Sequence, residues 1–155
     1  SLSELIEKLR PSHTLLFGSC SGGTVATHLA ADQATNALVL WETLPYYNDE
    51  AAKREFMARA QGRIALSSHF IEEYLDTADR AHEVKCPVFC LHACGSASPV
   101  FGELDADILE ELFVSCSAFT RRVFEGADHN LPRGTNPALL RQLLEFIAGQ
   151  FALPL

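Results

Sequence analysis

Residues 18–23 read GSCSGG and follow the apolar run LLF at 15–17. A thiol set among glycines, between an apolar stretch and a small-residue stretch, can serve three purposes. It can be a nucleophile at the tip of a sharp turn, part of a glycine turn that cradles phosphate, or a plain strand-to-helix connection. The first has definite physical requirements. A nucleophile at the apex of a strand–turn–helix elbow takes a strained backbone, often with positive φ, and side chains two residues to either side would collide. Gly18 and Gly22 answer that requirement, and Gly23 lets the helix approach the strand closely. The first N–H groups of the helix, chiefly that of Ser21, point toward the nucleophile and can hold a developing oxyanion. The positive end of the same helix favours the thiolate form of Cys20. Phosphate also binds at helix N-termini, but the G-x-x-x-x-G-K-[ST] spacing is absent and the turn has no lysine. Ser19 and Ser21 flank the apex and read as turn hydroxyls.

The elements that must position this turn are legible from periodicity. Ser3 to Leu9 has helical spacing, with Ser3 as N-cap and Pro11 as the stop. HTLLFGS (13–19) is a buried strand, Thr24 to Ala31 a small-residue helix, and NALVLWE (36–42) a second buried strand. Residues 48–82 are polar and amphipathic, without a strand signal, and fit two or three helices. CPVFCLHA (86–93) is a third strand, with Pro87 near its start where a missing N–H is tolerated. Asp105–Phe113 reads as helix, FTRRVFEG (119–126) as a fourth strand, and Pro137–Phe151 as a closing helix with proline in its first turn. Strands alternate with helices and read as apolar on both faces. The expected class is therefore α/β, a mostly parallel four-strand sheet with helices on both faces, in a single domain spanning 1–155.

Composition excludes several roles. Hydrophobic residues are 48% and charged residues 21% of the chain, a globular balance. Twelve Lys plus Arg against twenty Asp plus Glu leave a net charge of −8, which argues against nucleic acid as a partner. No apolar run reaches membrane-spanning length and the N-terminus has no leader pattern, so a membrane is not an expected partner either. The five cysteines (20, 86, 90, 94 and 116) read as reduced thiols of a cytoplasmic protein.

With a strand before it and a helix after it, GSCSGG resembles the nucleophile elbow of the α/β-hydrolases. More narrowly, the chain resembles the C-terminal half of that fold, with the cysteine nucleophile of dienelactone-hydrolase-like and thioesterase-like members. The likeness runs from the opening helix to the closing one. It implies a general base in FEGADHNLP (124–132), where a Gly-x-x-His stretch maps onto His129. It also implies an acid in the loop after the third strand, where Ser96 or Ser98 stands instead. Glu42, at the end of LVLWET, is the favoured substitute, since some members carry the acid after that strand; Glu103 and Asp105 are others. A Cys–His pair depends on its acid less than a Ser–His pair does, because imidazolium stabilises the thiolate directly. The stretch 48–82 corresponds to a helical cap, whose Phe56, Met57, Phe70, Ile71 and Tyr74, with Trp41, Tyr46 and Tyr47, could line an acyl-binding groove. The implied activity is hydrolysis or transfer of an acyl group from a small-molecule ester or thioester, without a cofactor.

The family places several strands before the elbow, one of them bearing a second oxyanion donor, whereas about a dozen residues precede the elbow strand here. A missing donor costs roughly 10²–10³ in rate. The elbow strand is then an apolar sheet edge, from which we expect self-association or a partner chain. Two rival readings stand beside the enzyme. One is a hydrolase-like scaffold or half-domain that has lost its chemistry or needs a partner. The other is metal binding by Cys86, Cys90, His92 and Cys94, which share one parity along the third strand. Zinc sites prefer knuckles on turns, so these cysteines read as small buried hydrophobes and no metal is expected.

Overall fold

The computed structural model describes residues 2–9, 11–20, 22–32, 34–43, 58, 78–93, 109–131, 134 and 136–151. In chain order the elements are α1 (Leu2–Leu9), β1 (Leu15–Ser19), α2 (Gly22–Asp32), β2 (Ala37–Trp41), a 3₁₀ helix (Ala78–Glu83), β3 (Val88–Ala93), β4 (Phe119–Phe124) and α3 (Pro137–Phe151). The strands form one parallel sheet in the order β1-β2-β3-β4. This is the expected α/β sheet with helices on both faces.

Residue alternation along the strands sorts the core into two layers. Leu38, Leu40, Val88 and Cys90 face Ala26, Leu29 and Ala30 of α2. Val39, Trp41, Phe89 and Leu91 face Leu143 and Ile147 of α3. The small residues of α2 let its backbone lie close to the sheet, and the Thr27 hydroxyl donates back to the Gly23 carbonyl at 2.8 Å. Asn36 ties the first two strands at their start: its N–H donates to the Thr14 carbonyl at 2.8 Å, and its Oδ1 accepts the Thr14 N–H at 2.8 Å. Asn136 caps α3 by accepting the Leu139 N–H at 3.3 Å, and Pro137 takes the first helical position, where no N–H is needed.

Three expectations change. Helix α1 begins at Leu2, one position before the expected N-cap at Ser3. Helix α2 begins at Gly22, two positions before the expected Thr24. Strand β4 is not apolar on both faces: Arg121, Arg122 and Val123 are exposed, as an edge strand permits. Its Arg122 lies over the rings of Phe124 and Phe146, at 4.8 and 4.4 Å from their centroids. Of the expected helix at 105–113, the described part is helical at 109–112. The expected cap lies almost wholly outside the described residues, which include from it position 58 and the 3₁₀ helix.

Candidate active site

In an open parallel sheet the C-terminal strand ends form the edge where chemistry gathers. Cys20 directly follows β1, Glu42 directly follows β2, and His129 stands in the loop between β4 and α3. Among the described residues, the non-glycine positions with positive φ are Cys20 at 52° and Glu42 at 47°. A side chain in that region costs about 1–3 kcal/mol and persists only where its surroundings dictate it. Here the sheet dictates it. The Cys20 N–H donates to the Trp41 carbonyl at 2.9 Å, and the Glu42 N–H donates to the Leu91 carbonyl at 3.0 Å. The Gly23 N–H then donates to the Cys20 carbonyl at 3.0 Å and closes the turn.

The glycines of the turn divide differently from the expectation. A Cβ on Gly18 would stand 2.5 Å from the Gly23 Cα and 2.7 Å from the Gly22 carbonyl oxygen. The Gly23 backbone thus lies against β1 at Gly18, as expected, and a Cβ on Gly23 would fall within the Thr43 side chain, so Gly23 also packs against the segment after β2. Gly22 faces open space, and the collision expected there is absent. Gly23→Ala is therefore expected to cost about 1–3 kcal/mol by overpacking. Gly22→Ala should be neutral or stabilise by up to about 1 kcal/mol, through reduced chain entropy. Urea unfolding of the pair checks this contrast.

The loop carrying His129 is pinned on several sides. The Asp128 carboxylate accepts the Asn130 N–H at 2.8 Å, an Asx turn, and the fully buried Leu131 donates its N–H to the Asp128 carbonyl at 3.1 Å. The Trp41 indole N–H donates to the His129 carbonyl at 3.1 Å. Trp41, expected to line a substrate groove, is instead wholly buried, its ring centroid 5.8 Å from that of Phe124. Its place is to brace the histidine loop from beneath.

The imidazole so held lies beside the Cys20 thiol, near enough for the thiol to act on its protonation. That contact, and then Glu42, push the His129 pKa up to about 9 against partial burial. Glu42 is 2% exposed, and burial by itself opposes its charge. Contacts from His129 and His92 and the Ala93 N–H outweigh burial and hold its carboxyl down to about 2. The Ala93 N–H donates to Oε1 at 2.7 Å. Oε2 stands 3.8 Å from the His129 Nδ1, an ion-pair contact longer than a hydrogen bond, and that nitrogen has no hydrogen-bond acceptor among the described residues. The structure thus brings Cys20, His129 and Glu42 together. It adds a group that the sequence reading weighed only as a metal ligand: His92, whose Nδ1 is 3.7 Å from Glu42 Oε1. Among the described residues no cluster of three or more His, Cys, Asp or Glu is arranged to hold a metal. Ser21, Tyr46 and Phe70 lie outside the described residues, as do Cys94, Ser96, Ser98, Glu103 and Asp105. Among the described residues no helix is long and apolar enough to cross a membrane.

The sequence matches no family profile and no curated protein. Solved structures resemble it clearly. MenH from S. aureus superposes with a TM-score of 0.59 at 18% identity, covering 96% of this chain and 73% of its own. A monoacylglycerol lipase from Paleococcus ferrophilus gives 0.62 at 15% identity, over 96% and 72% of the two chains. E-2-(acetamidomethylene)succinate hydrolase gives 0.59 at 17% identity, over 94% and 70%. At these identities the likeness speaks for architecture, and on that ground the chain has an α/β-hydrolase fold.

Proposed function

We propose that the chain is an acyl hydrolase or acyltransferase, acting on a small-molecule ester or thioester through Cys20. The observation that carries the reading is the thiol at a positive-φ apex facing an imidazole with a buried carboxylate behind it. The Cys20 thiolate attacks the acyl carbonyl carbon and forms a tetrahedral oxyanion, for which the proposed donor is the Ser21 N–H. Collapse of that intermediate breaks the bond to the leaving oxygen or sulfur, which takes its proton from the His129 imidazolium. Water, or another acceptor, then loses a proton to His129 and attacks the acyl-cysteine, releasing acid and restoring the thiol. Glu42 keeps the imidazole turned toward sulfur, and the 3.8 Å contact tightens as the site fills. The acyl-binding role is proposed for Tyr46, Phe70 and the stretch 48–82. β1 ends the strand order with Phe17 40% exposed, and the proposal includes pairing along that edge with a second copy or a partner chain.

The rival is a hydrolase-like scaffold without chemistry, favoured by the length of the His129–Glu42 contact. Iodoacetamide separates the two. Burial raises the thiol pKa of Cys86 and Cys116 and pushes that of Cys90 up to about 12. Cys20 is expected to label first, and to go on labelling at pH values where ordinary thiols are inert. Slow labelling, equal across the cysteines, would identify the scaffold.

A further inference from the structure

Glu42 has two carboxylate oxygens and an imidazole before each. His129 faces Oε2, while His92 faces Oε1 from the end of β3. Behind His92 the arrangement repeats: its Nε2 is 3.1 Å from the Cys90 sulfur, two residues earlier on the same face of the strand. A carboxylate therefore sits between two imidazole–thiol pairs. Exposure separates their roles. Cys20 is partly exposed, whereas Cys90 is wholly buried among Leu38, Leu40 and Val88, where no acyl group can reach it.

The proton positions follow from the contacts. A neutral imidazole has one N–H, and a carboxylate opposite Nδ1 favours the proton there. Were the proton on Nε2, two acceptors would face each other across the 3.7 Å between Nδ1 and Oε1. The thiol agrees with the first arrangement. Burial keeps Cys90 protonated against the nearby charge of Arg121, its cross-strand partner on β4, so sulfur has a hydrogen to give. We propose that the Cys90 S–H donates to His92 Nε2 and so fixes the Nδ1–H tautomer of His92, which stands with the Ala93 N–H on the Oε1 side of Glu42 and leaves Oε2 for His129. Cys90 and His92 are positioning residues for the acyl-transfer site, on which reading their kinetic consequence rests. The second thiol–imidazole pair is thus a structural arm that orients the carboxylate from its far side.

Nitrogen-15 spectra of histidine-labelled protein read this tautomer directly, the His92 signals being assigned by their loss in His92→Asn. At a pH where the ring is neutral, wild type is expected to show Nδ1 protonated and Nε2 bare. Cys90→Ala should give mixed tautomers and about tenfold lower kcat on a short acyl thioester with KM unchanged, the worth of one hydrogen bond. Cys90→Ser keeps a donor and should restore both. Should the alanine variant unfold, Cys90→Val fills the space without a donor and is expected to behave as alanine would. A wild-type His92 protonated on Nε2, or a tautomer indifferent to loss of the Cys90 donor, overturns the proposal. Wild-type protein with the expected tautomer but no turnover upholds the arm and overturns the acyl-transfer reading instead.

Discussion

Cys20→Ala is expected to lower turnover of a short acyl thioester by at least about 10⁴-fold, because a covalent mechanism has no route around its nucleophile. Folding should survive the change. The backbone strain at φ 52° is set by the ladder bond to Trp41 and is shared by any residue with a Cβ, alanine included. Unfolding midpoints close to wild type would therefore accompany the kinetic loss. Cys20→Ser should retain more activity than alanine but far less than wild type. A hydroxyl cannot form the thiolate–imidazolium pair and would lean on an acid whose contact with His129 is 3.8 Å long. Turnover that persists in the alanine variant excludes the mechanism outright.

The second large effect belongs to His129. His129→Gln keeps a polar side chain in the loop but neither takes nor returns a proton, and a loss of about 10²–10⁴ in kcat/KM is expected. The pH profile carries independent information. The folded pKa of about 9 stands above the ordinary 6.5, chiefly through the contact with Cys20 and then through Glu42. A raised pKa favours the folded state fully below about 6.5, and that contribution is lost as pH rises through about 9. Glu42 runs the other way: its lowered pKa contributes above about 4.5 and is lost as pH falls toward about 2. Wild type should therefore lose stability and, with the imidazolium, its leaving-group acid on the alkaline side. The glutamine variant should lack the histidine-linked alkaline change in its unfolding midpoints. Identical alkaline unfolding profiles for the two proteins would overturn the raised His129 pKa, and an unchanged kcat/KM in the glutamine variant would remove His129 from the reaction.

Much of the fold was legible because parallel strands buried on both faces, such as β2, must be written as unbroken apolar runs. The elbow was legible because the turn around Cys20 has room only for hydrogen at Gly18. What stayed hidden depends on partners distant in the chain. Nothing near Trp41 announces that its N–H binds the His129 carbonyl, so an aromatic at a strand end read as a groove wall. Cys90 and His92 showed their shared parity, but the carboxylate giving that parity a purpose lies across the sheet at Glu42. Gly22 looked like Gly18 in the motif, yet only the packing of α2 on the turn tells a crowded glycine from an open one. Edge exposure of β4 depends likewise on which strand ends the sheet.

The bracing of the histidine loop by Trp41 has a practical consequence. This is the chain's single tryptophan, so all of its native indole fluorescence originates beneath the proposed site. Emission colour then monitors whether that carbonyl still grips the ring, without a dye and in the same cuvette as a kinetic assay.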